Sequence, residues 1–330
     1  MEIKGRTALR SKVVYAAMLT LLVLATSVHA ATAWPDRPIR FVVHVAAGGG
    51  VDLMARILAD RLGQQLPQRV LVENIGGGGG SIAARSVAKA EPDGYTFLFV
   101  GPGHAAVPAI HQPPPYDPIA DFAPVSLVAE FPLVTVIRPG IPANNLSEFI
   151  TLLKANPDKY TFGSGGVGGS SHIPVELFKH LAGVEMLHVP FRGGSLSSAA
   201  LVAGQIDLII DGLAPQLGNI AEGRVRVLGV TTTSRTPFLP DAPAMSEFLP
   251  GYEYPMWVAV FAPAKTPWAI VNRLAEEIGK ATKDPITRKR YEDIKVEPVG
   301  STPEQFDDYF RKQLKFNEDI VRRANIRTTN

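Results

Sequence analysis

The sequence predicts an α/β protein built on largely parallel sheets. Along the 330-residue chain, short runs rich in β-branched and aromatic residues alternate with segments whose apolar residues recur at helical spacing. Glycine-rich loops stand where predicted strands give way to helices, and three C-terminal helical segments begin at proline. With no cysteine and 46% apolar residues, the chain must be stabilised by a large ordinary core.

The first block of the chain has the pattern of a βαβαβ unit. Apolar stripes predict two helices, and the β-rich runs around them predict three strands. A proline-rich loop over 108–118 interrupts the pattern before two further strands. The predicted strands are 39–45, 69–73, 95–100, 125–128 and 133–137, and the helices are 53–62 and 82–90.

A second α/β block follows, and helices then dominate the C-terminus. The predicted elements of the second block are helix 146–155, strand 160–162, helix 174–181, strand 186–189, helix 196–202 and strands 206–211 and 225–231. After a strand at 257–261 come helices at 267–281, 285–294 and 303–324. From these patterns alone, the last helices either form a tail or return to cover the first block.

The N-terminus has the pattern of a cleaved secretory signal over residues 1–33. Four cations precede the uncharged run 13–28, and small-residue cleavage sites end at Ala30 or Ala33. A membrane anchor is the alternative, but polar residues interrupt the run and it is short for a span. The net charge of +2 argues against a nucleic-acid partner, and the length suggests two domains.

Three glycine-rich loops, at 48–50, 76–80 and 163–169, are the main candidates for a binding site. Each lies at the predicted start of a helix, where unpaired N–H groups and the positive end of the helix dipole favour an anion. The third loop includes a G-x-G-x-x-G, but the next strand ends in Pro190-Phe191-Arg192 without an acid for a ribose. No loop has a P-loop ending or a G-x-S-x-G elbow, so nucleotide and serine-hydrolase chemistry are disfavoured.

Histidines raise one enzymatic alternative. His172, Glu176 and His180 recur every four residues, which would place them on one helical face as a metal-dependent hydrolase requires. The other interpretation is that His172 lines the helix start while the remaining two form a surface pair. His44 lies inside a strand pattern and is interpreted as structural, whereas His104 follows a strand end and either lines a ligand site or serves a turn.

Two acids occur beside predicted strand ends. Asp52 falls in the first turn of its helix, where a carboxylate interacts favourably with free amides, and it is interpreted as an organiser of the first loop. Asp211 ends a strand before Gly212, so it either lines a cleft or caps the next helix.

Motifs along the whole mature chain resemble the periplasmic solute-binding proteins of tripartite tricarboxylate transporters, often called the Bug family. Individually these motifs are weak, but together they are specific. They are WPDRPIR at 34–40, Gly48-Gly49 with Asp52, VEN at 72–74, AKA at 88–90, PDGYT at 92–96, YDP at 116–118, Asp121-Phe122, 164–172, ELF at 176–178, HVPFRG at 188–193, GQID at 204–207 and PVGSTPE at 298–304.

The resemblance implies a two-lobed, type II-like periplasmic binding protein fold with the ligand cleft between the lobes and two crossover strands. It places lobe 1 at 34–131 plus 257–330 and lobe 2 at 132–256, with the C-terminal helices returning to the first lobe. It further implies a non-enzymatic monomer without a cofactor or metal. Its ligand would be a small organic acid, such as a dicarboxylate, a tricarboxylate or an acidic amino acid, and its partner a membrane permease.

Carried onto this sequence, the first loop would hold one end of the ligand and the segment 164–172 the other. Arg192 is the nearest candidate for a direct cation, unless it pairs with a surface acid. The chain departs from the family at Ala46, Ala47, Ile75, Val167 and Gly169, where polar residues or proline are usual, which would admit a less charged ligand. The expected ligand-binding residues are Ala47, Gly48, Gly49, Asp52, Gly101, His104, Ser164, Gly166, Gly168, Ser170, His172, Arg192 and Asp211.

Overall fold

A computed structural model describes residues 34–324 and 326 and divides into a short N-terminal unit ending at Asp36 and a large unit from Arg37 onward. The predicted signal over 1–33 lies outside the described residues. All secondary structure described below belongs to the large unit. No helix within the described ranges is both long and apolar enough to span a membrane.

Eleven strands and ten α-helices are present in the described residues. The strands are β1 (Ile39–Val43), β2 (Val70–Asn74), β3 (Thr96–Val100), β4 (Phe122–Phe131), β5 (Leu133–Ile137), β6 (Thr161–Ser164), β7 (Leu187–Pro190), β8 (Leu208–Gly212), β9 (Arg226–Val230), β10 (Met256–Pro263) and β11 (Glu297–Pro298). The helices are α1 (Gly50–Gln65), α2 (Ser81–Ala88), α3 (Gly103–Ile110), α4 (Leu146–Ala155), α5 (Ile173–Ala182), α6 (Gly194–Val202), α7 (Leu213–Ala221), α8 (Trp268–Lys283), α9 (Pro285–Asp293) and α10 (Pro303–Arg323).

The strands form two mixed sheets rather than the largely parallel sheets that the alternation predicted. In the first sheet, of order β11-β4-β10-β3-β1-β2, the strands β1, β2 and β3 are parallel, and β10 runs antiparallel to β3 and β4. In the second, of order β7-β6-β8-β5-β9, β6 is parallel to its neighbours and β5 is antiparallel to β8 and β9. The chain therefore leaves the first sheet after β4 and returns to it at β10.

The C-terminal helices pack on the first sheet. Helix α8 contacts α1 and β4, and α10 contacts α3 and β4. Trp257, Phe261, Phe306 and Phe310 are buried together at this contact. The start of α10 is fixed by a capping box, in which Thr302 accepts from the N–H of Gln305 and the Gln305 side chain accepts from the N–H of Thr302. The return of these helices to the first sheet decides between the two arrangements that the sequence left open.

Two helices, α3 and α7, were not predicted, because each contains a proline. In α3, Pro108 cannot donate to the carbonyl of His104, and the Tyr116 hydroxyl donates to that carbonyl instead at 3.1 Å. In α7, Pro215 lies in the first turn, where a missing N–H has no intrahelical partner to lose. Helix α3 therefore continues through Pro108, although the sequence predicted a proline-rich loop from that residue onward.

Candidate functional site

A cavity of ≈ 50 Å³ lies between the two sheets, at the carboxyl ends of parallel strands from both. Binding sites in α/β folds form at such strand ends because the loops that follow them converge there. Loops of the first sheet provide His44, Val45, Gly49, Gly50, Val51 and Gly79; the second sheet's side provides Leu133, Gly165, Gly169, Ser170, Ser171, Gly194, Asp211 and Gly212; and Phe131 and Met256 come from the strand ends where the chain crosses between sheets.

Helices that begin at this cavity have no side-chain cap. Helices α1, α2, α6 and α7 each follow a glycine at the N-cap, and none of those N-caps offers a side-chain acceptor. By contrast, α4, α9 and α10 are capped by the side chains of Asn145, Asp284 and Thr302. Gly49, Gly194 and Gly212 line the cavity, so the starts of three uncapped helices border it. The first turns of α1 and α6 leave N–H groups for an anionic group, whereas in α7 the Leu213 N–H donates to the Pro132 carbonyl and Pro215 has no N–H.

Asp52 organises the first loop, as the sequence predicted. Its carboxylate accepts from the Gly48 N–H at 2.9 Å, from Asn74 Nδ2 at 2.9 Å and from Arg56 Nε at 3.0 Å. Burial alone would raise the pKa of Asp52, but these bonds and the Arg56 charge outweigh it and lower the pKa below its usual value. Asp52, which was expected to bind the ligand, is not among the cavity-lining residues; its bonds hold Gly48 and the start of α1 in place.

The third glycine loop is held by side chains beneath it. Ser164 Oγ lies 2.6 Å from His188 Nε2 and accepts from the Gly166 N–H at 3.1 Å. His172 Nδ1 accepts from the Gly168 N–H at 3.1 Å. Burial lowers the pKa of His188 to about 3, so its ring is neutral at physiological pH. Ser164, Gly168 and His172 therefore shape the loop and do not line the cavity.

Two serine hydroxyls of this loop do line the cavity. Ser170 Oγ accepts from the Gly103 N–H at 3.1 Å, and Ser171 Oγ accepts from the Gly165 N–H at 2.8 Å. A hydroxyl that accepts a hydrogen bond still has one hydrogen to donate. Ser170 and Ser171 thus offer two donors to a ligand oxygen in addition to the helix N-termini.

Glycines allow the loops of the two sheets to touch. A Cβ on Gly79 would lie 2.2 Å from the Val167 carbonyl oxygen, and one on Gly166 would lie 2.9 Å from the Gly79 nitrogen. Gly79 also has a φ of +62°, which L side chains rarely adopt. The 76–80 loop therefore packs closely against the 163–169 loop, and it contributes Gly79 to the cavity wall.

Further contacts join the loops of the two sheets beside the cavity. The Ala46 N–H donates to the Arg192 carbonyl at 3.3 Å, and Ser195 Oγ donates to the Ala47 carbonyl at 3.4 Å. Gly101 is buried directly behind Ser170. The arrangement is a closed cleft, in which Ala47 and Gly101 support the lining residues from outside the cavity.

Asp211 lines the cavity, which is one of the two roles that the sequence left open. One carboxylate oxygen accepts from the Gly212 N–H at 2.8 Å, and the side chain packs directly against Gly194. Burial raises the pKa of Asp211 to about 6, and the Gly212 hydrogen bond offsets only part of that rise. In the described part of the chain, Asp211 belongs to no ion pair.

His104 and Arg192, which were both expected to bind the ligand, lie outside the cavity lining. The His104 ring is buried among Tyr116, Phe122, Phe261 and Phe310, with ring centroids 4.7 to 5.6 Å away. Burial, reinforced slightly by His44, lowers its pKa to about 3. The Arg192 side chain is exposed and is absent from the cavity lining. We therefore leave both residues out of the proposed site.

The metal-site alternative is not assembled. His172 Nε2 lies 3.5 Å from Glu176, whose carboxylate pairs with Lys179, but His180 is exposed on α5. Within the described residues, no group of three His, Cys, Asp or Glu side chains is placed to hold a metal ion.

Several lining residues were missed in the sequence. His44 was interpreted as structural. Its Nδ1 donates to the Phe99 carbonyl at 3.3 Å, yet its ring borders the cavity, and burial lowers its pKa to about 4. Gly194 and Gly212 could have been found from the sequence, since each is a glycine between a strand and a helix. Phe131 and Met256 carry no such signal, because only the crossing of the chain brings them to the cleft.

Comparisons with known proteins agree with this geometry. The family described as "Tripartite tricarboxylate transporter family receptor" matches residues 54–326. A Pseudomonas sp. relative, named for the tcbD-tcbE intergenic region, is 37% identical over 314 residues, covering 94% of each chain.

Solved structures give the same assignment. A Rhodopseudomonas palustris protein with bound malate has a TM-score of 0.84 at 32% identity, covering 87% of this chain and 100% of the other. A second R. palustris protein, with adipate, has a TM-score of 0.85 at 32% identity, covering 88% and 98%. The predicted two-lobed periplasmic binding protein fold is confirmed. The chain belongs to the tripartite tricarboxylate transporter receptor family, whose members are periplasmic solute receptors and not enzymes.

Proposed function

We propose that this protein is an extracytoplasmic receptor that binds a small organic acid in the cleft between its lobes and delivers it to a tripartite tricarboxylate transporter permease. The observation that carries the proposal is the cavity itself. Its wall includes the starts of three uncapped helices, at Gly49, Gly194 and Gly212, and the hydroxyls of Ser170 and Ser171. Such a wall suits a carboxylate, and two relatives of known structure hold adipate and malate.

Binding in this cleft requires the lobes to move. The loops already touch through Gly79 and Gly166, and the volume left between them is only ≈ 50 Å³. We assign lobe 1 to 34–131 plus 257–330 and lobe 2 to 132–256, with hinges where the chain crosses between the sheets. A ligand would reach the open cleft and complete its contacts as the lobes close. We infer that the chain is exported to the periplasm and that its signal peptide is cleaved near Ala30 or Ala33.

Calorimetric titration of the purified mature chain tests the proposal. The probes are dicarboxylates of four to six carbons, with the same chains as uncharged diols for comparison. We expect saturable binding of at least one acid and none of the diols. In the Gly49→Val variant, the added side chain covers the start of α1, so binding should be lost while the melting temperature of the ligand-free protein is maintained. Absence of binding by every dicarboxylate and by every corresponding monoamide in the unmodified protein would contradict the proposal.

The transporter partnership needs its own test. Deleting the permease from cells that express this receptor should abolish uptake of the bound acid without lowering the amount of receptor in the periplasm. Continued uptake at the same rate would show that the receptor serves a different system.

A further inference from the structure

We propose that Asp211 selects the ligand class: the bound acid has one carboxylate, held by the start of α1 and the serine hydroxyls, and a hydrogen-bond donor that contacts Asp211. The donor is an amide, ammonium or hydroxyl group. This inference rests on the proposed function, since it concerns the same cleft. It narrows the ligand from organic acids in general to acids in which a second carboxylate is absent at this position.

The first step of the argument is the placement of Asp211. The residue lies at the end of β8, and its side chain borders the cavity. One oxygen accepts from the adjacent Gly212 N–H at 2.8 Å. In the described structure, the other oxygen accepts no hydrogen bond from a protein group, and a Cβ on Gly194 would lie 2.5 Å from it. That oxygen is an unused acceptor in the wall of a ligand site.

The second step is the absence of a neutralising charge. None of the described residues that line the cavity is a lysine or arginine. His44 is the other titratable side chain in the lining, and burial lowers its pKa to about 4, so it is neutral at pH 7. With a pKa near 6, Asp211 is mostly ionised at the same pH. A second carboxylate beside it would meet a negative charge that no cationic side chain of the described lining neutralises, which opposes binding.

The third step concerns the helix N-termini. Asp211 lies directly before the N-cap of α7 and against Gly194, the first residue of α6. Its carboxylate therefore lies beside the starts of both helices, where a ligand carboxylate would otherwise be favoured. The start of α1 is different, because the acid in its first turn, Asp52, is paired with Arg56 and Asn74. A ligand carboxylate is thus favoured at α1 and the two serines, and disfavoured beside Asp211.

Matched pairs of ligands test this inference. The probes are succinate, glutarate and adipate, each against its own monoamide, titrated calorimetrically at pH 8. The amide replaces one carboxylate at nearly constant size and supplies N–H donors. For the chain length that binds best, we expect the monoamide to bind about tenfold or more tightly than the dicarboxylate. An equal or higher affinity for the dicarboxylate would overturn the inference.

Three variants assign the preference to Asp211. Asp211→Asn removes the charge at the same size, so the affinity for the dicarboxylate should rise. The ratio of the monoamide affinity to the dicarboxylate affinity should then fall to less than about threefold. Gly194→Ala keeps the charge but forces the carboxylate to move, and should also weaken the preference. Glu222→Gln removes an exposed charge at the end of α7 and should leave the preference unchanged.

The outcomes separate this inference from the proposed function. If no acid and no monoamide binds the unmodified protein, the proposed function fails. If acids bind but the dicarboxylate is preferred, or if Asp211→Asn leaves the preference intact, only the assignment to Asp211 fails. A melting curve for each variant identifies any loss of folding, and Gly194→Ala gives an independent answer if Asp211→Asn does not fold.

Discussion

Asp52 and Asp211 occupy comparable places beside the two sheets, but they differ in how many hydrogen-bond donors surround each carboxylate. Each lies near the end of a parallel strand, beside the start of a helix. Asp52 accepts from a backbone N–H, an amide and a guanidinium, whereas Asp211 accepts only from the next N–H in the chain. The pKa of Asp52 is lowered, and that of Asp211 is raised to about 6. The number of partners, not the local sequence, decides whether an acid anchors a loop or faces a ligand.

The largest effect on ligand affinity is expected when the 76–80 loop of the first sheet and the 163–169 loop of the second sheet cannot approach each other. In the Gly79→Ala variant, the added methyl group would collide with the Val167 carbonyl and hinder closure of the cleft. Overpacking of this kind costs about 1–3 kcal/mol, so ligand affinity should fall by about tenfold or more. Calorimetric titration with the best-binding probe measures the loss. The control Gly183→Ala has the same φ of +62° with no atom within 4 Å, and unchanged affinity there excludes simple backbone strain.

Removing the anchored acid should cost folding stability. In Asp52→Ala, the Gly48 N–H, Asn74 and Arg56 lose the buried carboxylate that they share as acceptor, and the free energy of unfolding at pH 7 should fall by about 1–3 kcal/mol. Because the folded-state pKa is lowered, the carboxylate stabilises above the unfolded pKa, and the difference should shrink as the pH falls through the folded pKa. Urea denaturation measures both quantities.

The control for Asp52 is another acid on the same helix. Asp60 is exposed and pairs with Arg290, so Asp60→Ala should change the unfolding free energy by less than about 0.5 kcal/mol. Equal losses in the two variants would remove the distinction drawn between the anchored acid and an ordinary surface acid.

Neutralising Asp211 should raise the folding stability, whereas removing Asp52 should lower it. Its folded-state pKa of about 6 lies above the value of 3.8 for an unperturbed Asp, so the folded protein gains stability as the pH falls from 6 toward 4 and is destabilised by the ionised carboxylate above 6. Asp211→Asn should therefore raise the stability of the ligand-free protein by about 1 kcal/mol at pH 8, with little change at pH 4. Thermal melts across this range check the prediction, and a destabilised variant at pH 8 would refute it.

The smallest effect is expected at Ser170. Ser170→Ala removes a donor from the cavity and the acceptor for the Gly103 N–H, so the affinity should fall by about threefold to tenfold, corresponding to about 1 kcal/mol. Ser246→Ala loses a hydroxyl bonded to the Thr233 carbonyl outside the cavity, and it should not change the affinity. Equal titration curves for Ser170→Ala and the unmodified protein would exclude Ser170 from ligand contact.

Much of the secondary structure follows from local patterns. The predicted helix 146–155 matches α4 at both ends, because Asn145 caps its start and its apolar residues keep a helical period. The largely parallel pairing was wrong, because strand direction depends on where the chain re-enters each sheet, as β10 does between β3 and β4. Helix α3 was missed because a proline-rich loop was predicted from Pro108 onward, whereas the Tyr116 hydroxyl supplies the hydrogen bond that Pro108 cannot donate. Helix α7 was also not predicted.

The sequence by itself determined the family, the alternation of strands and helices, and the glycine turns that expose helix N-termini. It could not determine which loops meet. Gly79 contacts Val167, and Asn74 reaches Asp52, only because residues far apart in the chain are brought together. The state of each acid depends on those distant partners, since burial and hydrogen bonding act through space. The sequence predicted that Asp52 organises its loop, but only the tertiary structure identified its partners and placed Asp211 in the cavity lining.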